Sequence, residues 1–372
     1  MVARLIALSV TLAGASALIA TQRWHGSFSL DTDAGEQHHH TDPTPRVGGL
    51  AIAAGLLATW FMAGDGGRAI LGPMLLAAIP AFAAGLMEDI TKRVSAMVRL
   101  AATFVSAFLA CYLARVVMRH TGLPPLDWML SFTPLAALFT AIAVAGVANA
   151  FNIIDGFNGL AAGTAAIMLG ALSVLAWSQG DASLSTVCMV LGCVALGFGA
   201  INWPYGHIFM GDGGAYLLGF VVAWLSVLLP ARNPHISGWA TLMVCAYPVL
   251  EVAFSVNRRR ERRGRSATGA DRAHLHHFIH RRLIRRLFPK AGARLQNGLT
   301  SPLCWLLAAL PAGWAVVFHH SNPMLALGFV VAFFTYGVAY ARLTQFCWCF
   351  SARTLRPSPI PVPVPVFADS TR

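Results

Sequence analysis

Asn149-Ala150-Phe151-Asn152-Ile153-Ile154-Asp155-Gly156-Phe157-Asn158-Gly159-Leu160 breaks two long apolar runs with three Asn, one Asp and two Gly. Where propensity alone would have continued a helix, this stretch supplies amide donors, a carboxylate and a backbone free to approach a ligand. Taken alone it reads first as an interhelical loop and second as a binding site. The order reverses because similar polar knots recur along the chain, on what the topology predicts to be one side of a membrane.

The chain of 372 residues is 56% hydrophobic and 11% charged, whereas a soluble domain carries roughly 25% charge. That composition predicts an integral membrane protein. Apolar runs of about 17 to 25 residues, long enough to span, lie at 2–21, 47–64, 69–87, 98–118, 131–150, 159–177, 184–201, 214–230, 238–256, 299–318 and 323–343. The expected fold is all-α and polytopic, with about eleven transmembrane helices in a single membrane domain over 1–350 and a Pro-rich tail over 351–372. The first run reads as a helix rather than a cleaved signal peptide, since its apolar stretch is long and no small-residue cleavage site follows.

With the N-terminus outside, 22 of the 27 Lys and Arg fall on the inner side, as the positive-inside rule favours. The C-terminus is then cytoplasmic, and 22–46, 88–97, 149–158, 202–213 and 257–298 are cytosolic loops. The net charge of +12 gathers beside membrane helices, where topology and anionic headgroups account for it without nucleic acid. Seven Cys, mostly inside apolar runs and without Cys-x-x-Cys spacing, argue against structural disulfides and a zinc–thiolate site. No internal repeat is present.

Each cytosolic connection holds a polar knot with an ordinary alternative. The first contains His38-His39-His40 and ends Pro43-Thr44-Pro45-Arg46-Val47-Gly48-Gly49, which is either a positive-inside anchor or a phosphate contact through Arg46 beside a close backbone approach. The third helix ends in Glu88-Asp89, followed by Lys92 and Arg93: a solvated helix end, or a meeting place for a metal and a charged substrate. Asp212 in Gly211-Asp212-Gly213-Gly214 reads alone as an N-cap. Pro248 should kink the ninth helix, and Glu251 beyond it either snorkels toward water and the Arg258 cluster or helps open a lateral groove for a lipid.

The longest loop carries His274-Leu275-His276-His277, with no Cys nearby to complete a zinc set, so phosphate or sugar donors are the better reading. Downstream, Ile279, Leu283, Ile284, Leu287 and Phe288 share a helical face opposite Arg281, Arg282, Arg285 and Arg286, the pattern of a helix on an anionic membrane surface. The tail from Pro357 reads as extended and mobile. A transporter or flippase of lipid-linked intermediates would place ionisable groups near mid-bilayer, and the apolar runs offer little there except Glu251.

Together these motifs resemble the polyprenyl-phosphate N-acetylhexosamine-1-phosphate transferase superfamily (glycosyltransferase family 4). The resemblance runs from Pro43 to about Leu283: Pro-Thr-Pro-Arg-x-Gly-Gly, the acidic pair, Asn-x-x-Asn-x-x-Asp-Gly-x-Asn-Gly-Leu-Ala, Gly-Asp-x-Gly-Ala, Pro-x-x-acid and His-x-His-His. Each is weak alone, and their order on one membrane face is strong. Two departures stand out: Glu88-Asp89 replaces the usual Asp-Asp, and Asn158 stands where many members have a second Asp.

The resemblance implies attack of undecaprenyl phosphate on the sugar-linked phosphorus of a UDP-N-acetylhexosamine, with release of UMP at the cytoplasmic face of a bacterial inner membrane. It further implies Mg²⁺ or Mn²⁺ at Asp212 with Asp155, and catalytic roles for Asp89, Asp155 and Glu88. Arg46, Lys92, Asn149, Asn152, Asn158, His274, His276 and His277 become substrate contacts, and Pro248 and Glu251 a lipid groove. The run ending His274-Leu275-His276-His277 looks more like the bacterial undecaprenyl-phosphate N-acetylglucosaminyl-1-phosphate transferases than the muramoyl-pentapeptide translocases, whose activity stays an alternative. A catalytically silent scaffold and homodimerisation are both left open by the sequence.

Overall fold

The computed structural model describes residues 2–31, 44–261 and 273–345. His38-His39-His40, Asp271-Arg272 and the Pro-rich tail lie outside the described residues. All eleven apolar runs coincide with helices: α1 Val2–Ala20, α2 Gly48–Met62, α3 Asp65–Thr91, α4 Ala96–Ala114, α5 Thr133–Ile154, α6 Leu160–Ser178, α7 Ala182–Asn202, α8 Gly211–Arg232, the pair α9a Gly238–Val244 and α9b Ala246–Glu261, α10 Ala293–Phe318 and α11 Asn322–Gln345. The only strands among the described residues are Leu30–Asp31 and Thr44–Pro45, paired antiparallel.

Among the described residues nine of these helices are long and apolar enough to cross a membrane, and α9a with α9b makes a tenth if the bent pair is one span. The expected eleventh, α2, has 15 residues. At about 1.5 Å per residue it falls short of a hydrocarbon core roughly 30 Å thick. The bend of 76° in the ninth helix has its cause in the sequence. Pro248 has no N–H for the Val244 carbonyl, and its ring crowds that carbonyl, so the helix breaks at Cys245 one turn before the proline.

Helix α8 is the axis of the bundle. Every residue from Gly211 to Leu229 is buried, as expected for a helix apolar all round rather than on one stripe. It packs chiefly against α3 and α5 and also against α2 and α6. The outer helices present Phe61, Leu310, Val317 and Phe334 to the surroundings. Such a broad apolar exterior suits acyl chains and not water.

Candidate active site

Three chain segments meet at the start of α8. Gly211 sits at φ +73°, and a Cβ there would lie 2.6 Å from an Asp89 oxygen. Only glycine fits both demands. Gly85 on α3 plays the matching part, since a Cβ would stand 2.7 Å from the Asp212 carbonyl. The two helices therefore touch backbone to backbone.

The first amides of α8 have no partner within the helix, and Asp89 of α3 takes them. The Asp212 N–H donates to Oδ1 at 2.7 Å and the Gly213 N–H to Oδ2 at 2.8 Å. Asp89 is 2% exposed. The cap of α8 thus comes from Asp89, and Asp212, the second residue of the helix, is released from the N-cap role that its sequence suggested.

Asp212 faces a ring of donors. Its Oδ1 accepts from Arg46 Nη2 at 3.2 Å and from Asn152 Nδ2 at 2.9 Å, and its Oδ2 pairs with Arg99. Arg46 also reaches Asp89, Nε to Oδ1 at 3.3 Å. The segment that carries Arg46 is fixed by backbone pairing, because Phe209 N–H donates to the Pro45 carbonyl and Gly48 N–H to the Phe209 carbonyl. Arg99 lies 6.0 Å from the Tyr216 ring centroid, and the Tyr216 hydroxyl donates to Asn149 Oδ1 at 3.2 Å. Asn149, Asn152, Arg46, Asp89 and Asp212 are therefore brought together. Arg99 and Tyr216 join them without having been singled out in the sequence: Arg99 counted only as an inner cation, and Tyr216 stands one helical turn after Asp212.

Asp155 ends α5, its N–H donating to the Phe151 carbonyl at 3.1 Å. Desolvation by the surrounding protein pushes its carboxyl well above the ordinary carboxylate range, Arg46 opposes this, and Asp89 adds to it. Those two charges tie Asp155 to the same cluster. Asn158 departs from expectation. It is buried, its N–H donates to Asn297 Oδ1 at 2.7 Å, its Nδ2 to the Pro204 carbonyl at 3.0 Å, and its carbonyl accepts from Ser301 at 2.6 Å. These bonds fasten the 155–160 turn to α10 and the 203–206 turn, so Asn158, expected as a substrate contact, stands in this structure as an internal tie. Among sequence signals only two polar residues hinted at it, Asn297 just before the apolar run 299–318 and Ser301 inside it.

Glu88 and Lys92 close a local turn. The Val94 N–H donates to Glu88 Oε2 at 2.7 Å, and Lys92 ends α3 in a left-handed conformation, φ 54°. Glu88 points its acceptor along its own chain, while Asp89 reaches across to α8. Lys92 is exposed.

The ninth-helix expectation also changes. Glu251 is 1% exposed, and its carboxylate takes His274 Nδ1 at 3.2 Å on Oε2 and His276 Nδ1 at 3.2 Å on Oε1. Pro248 is likewise buried. Neither residue has the exposed face that a groove-lining side chain needs, and the reason for Glu251 is plain: a buried carboxylate requires partners, and two imidazoles supply them. His274 stands before the short helix Leu275–Phe278, in extended conformation, so it does not share a helical face with His277. It stacks on His276 instead, ring centroids 5.3 Å apart. His276 is wholly buried, and only His277 of the three is half open. Burial, then His276, His274 and Arg281, hold the His277 ring well below its ordinary range. The amphipathic stretch that follows is a π-helical turn, Ile279–Ile284, then Arg285–Leu287. Ile279 and Ile284 turn inward, while Leu287 and Phe288 stay exposed beside Arg285 and Arg286.

Residues 71–230 match the family described as Glycosyl transferase family 4. The chain is 30% identical over 316 residues to the undecaprenyl-phosphate alpha-N-acetylglucosaminyl 1-phosphate transferase of Salmonella typhi, covering 82% of this chain and 81% of that protein. The enzyme of the same name from Escherichia coli K12 is 29% identical over the same length. The phospho-N-acetylmuramoyl-pentapeptide-transferase of Geobacillus kaustophilus is 31% identical over 215 residues, 54% of this chain and 65% of that protein.

Proposed function

Since the chain belongs to glycosyl transferase family 4, we propose that it transfers N-acetylglucosamine 1-phosphate, or a close N-acetylhexosamine 1-phosphate, from a UDP-sugar to undecaprenyl phosphate. A lipid phosphate oxygen bonds to the sugar-linked phosphorus, the bond to the UMP oxygen breaks, and UMP leaves. The observation that carries the proposal is the cluster at the start of α8. Asp89, Asp155 and Asp212 gather there around Arg46, with Arg99 and Asn152 held against Asp212.

Two anionic substrates must approach each other, and the chain's own residues prepare for that. Arg46 and Arg99 are the phosphate-binding pair, released from Asp212 as substrate arrives. Asp89 positions the N-terminus of α8, whose amides and dipole favour an anion. A phosphate monoester is already largely ionised near neutrality, so a strong base is not required and both Asp89 oxygens are free to remain on the amides of Asp212 and Gly213. Asn149 and Asn152 orient the nucleotide, and Lys92 adds a peripheral phosphate contact.

Asp212 and Asp155 are the residues that would hold Mg²⁺ or Mn²⁺, which when bound neutralises the pyrophosphate and the UMP leaving group. The donor chemistry supports this fit. These are hard carboxylates, one held by two arginines and the other desolvated, and Mg²⁺ commonly takes one or two carboxylates and completes its shell with water and phosphate. His277, kept neutral, offers hydrogen bonds without charge to a sugar.

The reading counts the 15-residue α2 as a short eleventh crossing beside the ten long enough to span when the bent pair is taken as one, with an outside N-terminus, a cytoplasmic C-terminus and a site on the cytoplasmic face of a bacterial inner membrane. The share of Lys and Arg on that side supports it. Purified protein with UDP-GlcNAc, undecaprenyl phosphate and Mg²⁺ should release UMP and form the lipid pyrophosphoryl sugar. Competition by a panel of UDP-sugars should show small UDP-N-acetylhexosamines used and UDP-MurNAc-pentapeptide refused. No UMP release, or preference for the pentapeptide, overturns the respective part.

A further inference from the structure

Helix α9b grips the histidine segment at two points. Arg258 Nη1 donates to the Ala273 carbonyl at 2.7 Å and to the Tyr340 hydroxyl at 2.9 Å. Two helical turns earlier, Glu251 holds His274 and His276. A carboxylate only accepts, so both imidazoles donate from Nδ1, in either protonation state. Each ring is then fixed in orientation, and Nε2 is the atom it presents elsewhere.

For His276 that other side is the central turn. A Cβ added at Gly156 would lie 3.9 Å from His276 Nε2, and Gly156 directly follows Asp155. The Phe157 ring stands against His276, His277 and His280 at centroid distances of 5.5, 5.3 and 5.2 Å. His280 is secured separately, Nδ1 to Thr300 Oγ1 at 3.1 Å. The chain of contact thus runs from α9b through His276 to the turn bearing Asp155.

We propose that Glu251 is a positioning residue whose carboxylate locks His274 and His276 so that His276 buttresses the Asp155-Gly156 turn and His277 is delivered to the open side of the site. The proposal deepens the transferase reading and rests on it only for its kinetic consequences. Nothing in it requires Glu251 to touch a substrate. A neutral Glu251→Gln side chain turns its NH2 toward a histidine that also donates, so one imidazole must either rotate away or shift its proton from Nδ1 to Nε2, and in both cases the double lock is lost.

The primary test does not depend on activity. Acylation of histidines by diethyl pyrocarbonate, followed by mass spectrometry on the full chain in detergent, should show His276 protected relative to exposed His120. In Glu251→Gln, His276 should label on the order of 10-fold faster while His280 stays protected. If His280 is unmasked too, the variant has lost its fold locally, and Glu251→Asp, which keeps both acceptor oxygens on a shorter arm, decides the matter by showing His276 labelling intermediate.

The kinetic arm uses UMP release. Glu251→Gln should lower kcat by about 10- to 100-fold, the scale seen when a partner that orients a functional imidazole is removed. The double variant with His276→Ala should be no worse than the more damaging single one. Unchanged His276 labelling in Glu251→Gln overturns the proposal. So does additivity with His276→Ala, or an effect confined to the KM for undecaprenyl phosphate, which would return Glu251 to a lipid groove. A wild-type protein that releases no UMP fails the transferase reading alone, since the labelling outcome still decides the positioning.

Discussion

Each end of helix α8 joins an acid–arginine contact with other segments, Asp212 with Arg46 and Arg99 at one end and Arg232 with Asp181 at the other, and the two ends are built differently. At the Arg232 end, Asp181 accepts from Arg232 Nε at 2.7 Å and Nη2 at 3.1 Å and caps α7 through the Leu184 N–H at 3.0 Å. One acid meets one arginine, and the pair closes on itself. At the Asp212 end, Asp89 and Asp212 share Arg46, Arg99 joins from α4, and Asp155 feels the charges of Arg46 and Asp89. Several segments far apart in sequence converge there, and the arginines are held by carboxylates that a phosphate can replace. A closed pair fastens helices; an over-supplied cluster is fit to exchange partners. The comparison can be broken, or made sharper, at either end.

The largest effect belongs to Asp212→Asn. Replacing one carboxylate with its neutral isostere should cut Mg²⁺-dependent turnover by at least about 100-fold, within the several kcal/mol that a metal's charge supplies, while thermal unfolding in detergent changes little. Near-wild-type turnover across a Mg²⁺ titration would sink the metal assignment. Asp155→Asn should be similarly severe. Asp89→Asn differs in kind: an amide has one acceptor oxygen for two backbone donors, so a loss of helix capping, about 1 to 2 kcal/mol, should accompany the loss of turnover. If Asp89→Asn proved inactive but fully stable, the capping account would be wrong.

What the sequence makes legible follows from the range of the forces involved. Apolar runs report burial in lipid or in the core one segment at a time, and each of them proves helical. The polar knots report which loops matter, because amides and carboxylates are costly without partners. Pairing between knots is another matter, since it is fixed by backbone approach at Gly85 and Gly211, and no single segment encodes it. Hence Arg99, one cation in an apolar run, gave no sign of meeting Asp212. Asn158 looked like its neighbours Asn149 and Asn152, and only its place under α10 turns it inward. Glu251 read as a lipid-facing acid because its two partners lie more than twenty residues downstream.

Smaller effects test the frame around the cluster. Pro248→Ala restores a backbone donor and should relax the 76° bend. The bend sits beside an apolar cavity of about 230 Å³ lined by residues including Val147, Trp239 and Cys245. We expect the KM for undecaprenyl phosphate to rise about fivefold, ~1 kcal/mol, with the KM for UDP-sugar unchanged; a change confined to UDP-sugar would contradict this. Glu88→Gln should be milder still, about twofold in turnover, because a glutamine oxygen can keep the Val94 N–H in a bond worth about 1 kcal/mol. Were it the most damaging of the acid-to-amide variants, Glu88 and not Asp89 would be the functional member of the pair.

The smallest effect is expected at the closed end, and it is the one that most directly tests the contrast. Arg232→Gln removes the partner of Asp181 without touching the cluster. The Arg232 side chain is 40% exposed, so solvent screening should hold the cost below about 1 kcal/mol, and turnover should not move. Its pH signature has a definite sign. Desolvation tends to raise the Asp181 carboxyl, but hydrogen bonds from Arg232, the Leu184 N–H and Asn233 outweigh it and hold the group below the ordinary range. A depressed folded-state value means that the pair contributes fully above the unfolded carboxyl's pKa of about 3.9 and is lost as pH falls through the lower folded value. Thermal unfolding followed from pH 7 to pH 3 should therefore show wild type and Arg232→Gln separated near neutrality and converging in acid. Convergence at neutral pH instead, or a stable Arg232→Gln protein that no longer turns over, would mean that the two ends of α8 are not different in kind.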